Sequence, residues 1–240
     1  MAVLGQGCKL IWFPAPSAEF SVPDMFQSIT GEEADVVRKN KVPSPSNPII
    51  SAAEADIEDF KVALSQQPGR LDLSLSPIQN NDSLKMPLMD VQAGIFYCER
   101  ILAAVKILPG SVRLSCIVNS YSEASSSEDV ANLFYSIAGF NPDIPEVTDL
   151  VFQANRRTDL EGVIINRVTT INTLETQSIR VQGSTLAETS VEHGLGITYD
   201  FNTVPDGNVF DTERQKKIFS DMLGHVTKAV NSSDLSFLKD

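Results

Sequence analysis

Residues 151–172 read VFQANRRTDLEGVIINRVTTIN, two runs rich in Val, Ile, Phe and Thr around a polar connection. β-branched and aromatic residues favour strands and the connection supplies turn residues, so the stretch predicts a β-hairpin. Each arm carries an Asn-Arg pair: Asn155-Arg156, followed by Arg157, on the first, and Asn166-Arg167 on the second. Asn is depleted in strands and Arg is rarely buried without a partner. A polar set in such a place requires a hydrogen-bond network or a ligand. A connection made of residues 159–162 sets Asn155 opposite Asn166 and Arg157 opposite Ile164, and a one-residue slip changes both pairs.

The rest of the chain supplies further sheet and helix signals. Residues 60–77 predict a second hairpin: FKVALSQ, a turn at Pro68-Gly69, then Leu71, Leu73 and Leu75 alternating with Asp72, Ser74 and Ser76. Single strands are expected at 9–13, 111–120, 175–183 (polar enough for an edge) and 195–204, where Ile197, Tyr199 and Phe201 oppose Thr198, Asp200 and Asn202. The polar stretch 186–194 has no clear periodicity. Apolar spacings of three and four predict a helix over 90–108, ended by Pro109-Gly110. Serines before Glu128 and Asp129 open another that ends at Gly139, and Asp211 caps a third that ends near Val230. Residues 23–29 carry one or two helical turns.

Domain organisation follows from these signals. Residues 1–53 read as a partly ordered arm with a Pro-rich linker, 54–231 as the core domain and 232–240 as a frayed tail. The expected fold is α+β, a curved, mainly antiparallel sheet of about seven strands covered by about three helices.

The net charge of −12 lies mostly in the second half and repels phosphate at long range. It argues against a nucleic-acid or membrane-surface partner. The cysteines Cys8, Cys98 and Cys116 are widely spaced, with no C-x-x-C, and read as buried free thiols in a reducing compartment. No stretch approaches the length of a spanning helix and no secretory pattern opens the sequence, so a cytoplasmic location is expected.

No reaction is named by the motifs. His193 and His225 have no metal spacing, no G-x-S-x-G supports a triad of His193, Asp200 and a serine, and no glycine loop carries a Walker lysine. No cofactor, metal or catalytic residue is assigned. The candidate binding set is Asn155, Arg156, Arg157, Asn166, Arg167, Asp200 and Asn202. It is either a polar patch for an anion or peptide backbone, or a network that closes on itself with Arg157 or Arg167 paired to Asp200 or Glu161.

The Gln67-Pro68-Gly69-Arg70 turn, the FQANRR and IINRV arms and the YDFNTVP strand before a closing helix resemble a sporadically distributed family of uncharacterised bacterial α+β proteins. The resemblance covers residues 60–230 and makes Gln153, Asn155, Arg156, Asn166, Arg167, Asp200, Asn202 and Thr203 the family positions. The sequence departs from that pattern at Arg157, where proline is expected, and lacks a tryptophan after Arg167. It implies a bacterial source and a fold outline, with no activity.

The function expected is a non-enzymatic protein-binding or assembly module, a homodimer or a subunit of a bacterial complex, acting through the Asn/Arg patch or a sheet edge. The alternative is a small hydrolase or transferase on an anionic substrate, with Arg157 and Arg167 as clamp and Asp200 or His193 as base.

Overall fold

A computed structural model of the chain describes residues 2–16, 18–79, 83, 85–139, 149–182, 185–232 and 235–238, the side chains of 180–188 and 238 excepted. The strands are β1 (Leu4–Pro14), β2 (Val36–Lys39), β3 (Ser51–Ile57), β4 (Phe60–Gln67), β5 (Arg70–Pro77), β6 (Met89–Asp90), β7 (Ser111–Ala124), β8 (Val151–Leu160), β9 (Val163–Gln182) and β10 (Thr185–Thr203). They form one antiparallel sheet in the order β2-β3-β4-β5-β1-β7-β10-β9-β8, with β6 also paired to β1. Helices α1 (Val22–Thr30), α2 (Val91–Ala104), α3 (Ser127–Ala138) and α4 (Thr212–Val230) pack on one face, and the other face carries no described helix. The α+β class and antiparallel sheet are as expected, but the described residues hold ten strands and four helices, more than about seven and about three.

Of the strands not expected, β2 and the start of β3 come from residues read as arm and linker and β6 from the stretch before α2, while the strand expected at 9–13 is longer, as β1. β1 lies inside the sheet between β5 and β7, because Cys8, Leu10 and Trp12 alternate toward the helices and are buried there. Trp12 meets Phe219 of α4 edge-on, with ring centroids 5.2 Å apart. β3 carries Ala53 and Ala55, small residues with weak strand preference, under α1, whose Met25, Phe26 and Ile29 join the same core. The acids Glu54, Asp56 and Glu58 lie on β3 and its turn, where Glu54 pairs Arg38 and Lys61.

Two elements end or extend differently from expectation. Helix α2 stops at Ala104, with Val105 extended at ψ 134°, because Leu108 is buried and its N–H is taken by Thr212 Oγ1 at 3.0 Å. The edge strand expected at 175–183 is present as far as Gln182, with no described partner on its outer side, whereas 186–194 is not irregular. The two stretches are the outer halves of β9 and β10, paired from Thr185↔Gln182 onward and carrying that hairpin past the end of β7. Over 186–194 the alternation was too polar to signal a strand. In the tail read as frayed, Leu235–Leu238 is a 3-10 turn whose Phe237 is buried and meets Tyr199 edge-on, with ring centroids 5.9 Å apart.

Candidate functional site

Adjacent residues of a strand point to opposite faces, and this divides the Asn/Arg set. β8 and β9 join through a two-residue turn, Glu161-Gly162, both at positive φ (50° and 85°). The pairing is therefore Asn155↔Val168, Arg156↔Arg167 and Arg157↔Asn166, shifted by two from the expected register. A shift of two keeps each side chain on its face. Asn155, Arg157, Asn166, Asp200 and Asn202 share the open face, whereas Arg156 and Arg167 point to the helix side.

On the open face the polar groups form a chain across β8, β9, β10 and β7. Arg157 Nε and Asn155 Nδ2 donate to Asn166 Oδ1 at 3.2 and 3.4 Å. Asn166 Nδ2 donates to Asn202 Oδ1 at 3.1 Å, which also accepts from Arg113 Nη2 at 3.0 Å. Asn202 Nδ2 and the Ser115 hydroxyl donate to Asp200 Oδ1 at 3.1 and 2.9 Å. Asn202, 4% exposed, is the hub, and exposure rises outward to Asn155 and Arg157 on β8. Each amide is satisfied by its neighbours, so the inner part of this set holds the sheet together. Arg113 and Ser115 were outside the candidate set; their place opposite Leu114 and Cys116 in the alternation of β7 was the available signal.

Two expected contacts are absent. Among the described residues Asp200 makes no ion pair, its partners being Ser115 and Asn202. Glu161 instead meets Lys217 and Arg214 of α4 at 2.9 and 3.7 Å. Arg167 is 1% exposed between sheet and helices. Its Nη2 donates to the Phe237 carbonyl at 2.6 Å, its Nη1 to Thr158 Oγ1 at 3.5 Å, and its guanidinium lies 5.6 Å from the Phe201 ring centre. Arg157 and Arg167 therefore cannot close on one anion, because the sheet lies between them.

The histidines take separate places. His193 Nδ1 is 3.5 Å from Glu175 Oε2, on the opposite face of β10 from Asp200. His225 of α4 is held below its ordinary pKa, first by burial and then by the charges of Arg167 and Lys228. The three thiols are free and buried, and burial pushes Cys8 up to about 12. That leaves no reactive thiolate near neutrality at Cys8. Among the described residues no group of three or more His, Cys, Asp or Glu side chains is placed to hold a metal ion, and no helix is long and apolar enough to cross a membrane.

The sheet ends differently on its two sides. β2 is only Val36–Lys39, four residues, all exposed. At the other end β8 runs ten residues without Pro, Gly or bulge, its side chains alternating exposed and half-buried. No described strand pairs its outer side. No family model, curated protein or solved structure matches the chain.

Proposed function

We propose that the protein is a protein-binding or assembly module that takes a strand from a second polypeptide, its own copy or a partner, onto the outer edge of β8. The observation that carries this reading is the contrast between the two ends of the sheet. Short or bulged edges resist pairing, and β2 is short. β8 is long and regular, and its outward N–H and C=O groups offer a ready template for strand addition. Val151, 70% exposed, and the side chains of Asn155 and Arg157 flank that edge and would read the added strand.

The test rests on main-chain geometry. Of two neighbouring edge residues one N–H points inward to β9 and the other outward, so of Gln153→Pro and Ala154→Pro one removes a sheet bond and the other only an edge donor. Light scattering after size-exclusion chromatography, with pull-down from native lysate, reads the association. The expected result is that the variant with unchanged thermal midpoint loses it. A wild type that is monomeric at all concentrations and retains no partner, or a fold-neutral proline variant that still associates, would sink the reading.

A further inference from the structure

At the other end of the sheet, a cleft of about 490 Å³ lies between the start of α1 and the β2–β3 connection. One cross-strand row, Lys39↔Ser51↔Gln66, crosses it over β2, β3 and β4 on the helix side, with buried Ser51 on the floor and exposed Lys39 at the rim. Ser21 at the α1 start and Asn40 and Lys41 of the connection complete the polar lining, and Phe20, Val22, Pro23 and Ile50 add apolar surface.

Three observations in this cleft call for a negative guest. The α1 N-terminus faces it with no side-chain cap: Ser21 occupies the N-cap position but its hydroxyl makes no cap bond. Pro23 has no N–H, so the first-turn donors are those of Val22 and Asp24. The Ser51 hydroxyl on the floor is buried, the residue being 7% exposed, and has no hydrogen-bond partner. Lys39 and Lys41 are both exposed at the rim, and neither makes an ion pair among the described residues. The described lining holds two lysines and no acid, in a chain whose net charge is −12. Asp24 of the first turn is the nearest opposing charge on α1 and lies outside the lining.

We infer that this cleft binds the phosphate group of a small phosphomonoester. Helix N–H groups and a hydroxyl converge on a tetrahedral oxyanion, and two ammonium groups match a dianion as point charges. A planar carboxylate would instead favour an arginine fork, which the cleft lacks. The volume exceeds what bare phosphate fills, and Phe20 and Ile50 give the organic part a surface.

The experiment titrates the whole chain with phenyl phosphate, inorganic phosphate and benzoate, reading amide shifts by NMR. Both phosphates are expected to bind saturably and to move the amides of Val22, Asp24 and Ser51. Benzoate should bind about ten-fold more weakly. The pair Lys39→Gln and Lys41→Gln, both at exposed positions, should weaken phenyl phosphate by about ten-fold or more without changing the thermal midpoint. Ser51→Ala should weaken it about three-fold while raising the midpoint of the free chain, since an unpartnered buried hydroxyl is removed. No saturable binding, or binding untouched by the lysine pair, overturns the site. Benzoate binding as tightly as phenyl phosphate overturns the ligand class, and a lowered midpoint for Ser51→Ala overturns the role given to its hydroxyl.

Discussion

Arg167 Nη2 lies 2.6 Å from the main-chain oxygen of Phe237, joining the centre of β9 to the C-terminal 3-10 turn through a buried charge-assisted hydrogen bond. Phe237 in turn sits against Tyr199 of β10, so the turn is pinned by one polar and one aromatic contact. Arg167→Met should cost about 2 kcal/mol by leaving a buried carbonyl without its donor. Arg167→Lys should not restore it, because a single ammonium cannot bond the Phe237 carbonyl and Thr158 together in the guanidinium geometry. Urea denaturation gives the stability, and hydrogen exchange at residues 235–238 reads the turn. Unchanged protection there in Arg167→Met would show that the aromatic contact alone holds it.

His225 makes stability depend on pH, and the sign is fixed by its environment. Burial, then Arg167 and Lys228, lower its pKa below the ordinary 6.5, against a smaller opposing pull from Asp221. The unfolded chain therefore takes up a proton at higher pH than the folded one. The contribution is complete above 6.5, and stability falls as pH drops from there through the folded pKa. Urea midpoints between about pH 8 and 5 should decline toward acid, and His225→Gln should flatten part of that decline. Arg167→Met should raise the imidazole pKa in an NMR titration. A pKa unmoved in that variant would leave burial and Lys228 as sufficient causes.

The open-face network should lose stability in proportion to burial. Asn202→Ala leaves donors of Arg113 and Asn166 without their acceptor in a half-buried setting and takes one of two donors from Asp200 Oδ1, and should cost about 2 kcal/mol. Asn155→Ala, at the exposed end of the same chain, should stay within about 0.5 kcal/mol. If strand addition at β8 depends on side-chain readout, Asn155→Ala should instead weaken association, separating binding from folding. Equal stability loss at the two positions would mean that the network has no hub.

The Pro68-Gly69 hairpin was readable because Leu71, Leu73 and Leu75 alternate cleanly, and the structure joins Gln67 to Arg70 across that turn. β3 was hidden because its core-facing residues are alanines, which have no strand preference of their own and are buried because α1 packs on them. The outer half of β10 was hidden because a two-stranded extension has little apolar face to repeat. Within the site, Asn166 and Arg167 are neighbours in one strand, and period two alone puts them on opposite faces. Grouping both in one patch ignored that parity. The two-residue turn at Glu161-Gly162 was harder to read, because glutamate is a poor candidate for positive φ.

That turn has a counterpart. Among the described residues the non-glycine positions with positive φ are Glu58 and Glu161, at 53° and 50°, each opening a two-residue hairpin turn. Each glutamate also reaches a cation on a helix: Glu58 meets Arg100 of α2 at 2.6 Å, and Glu161 meets Lys217 and Arg214 of α4. The side chain thus ties the hairpin tip to the helix layer and offsets an unfavourable backbone. Asparagine adopts the left-handed conformation more readily but is too short to keep those contacts. At low salt Glu161→Asn should melt below the wild type, because the ion pairs are lost. At about 1 M salt, where the Debye length is near 3 Å, surface pairs are screened and the order should reverse, since only the backbone preference remains. Thermal midpoints of both proteins at the two ionic strengths decide it. If Glu161→Asn is the more stable at both, the ion pairs do not offset the strain; if it is the less stable at both, the glutamate contributes through contacts that salt does not screen.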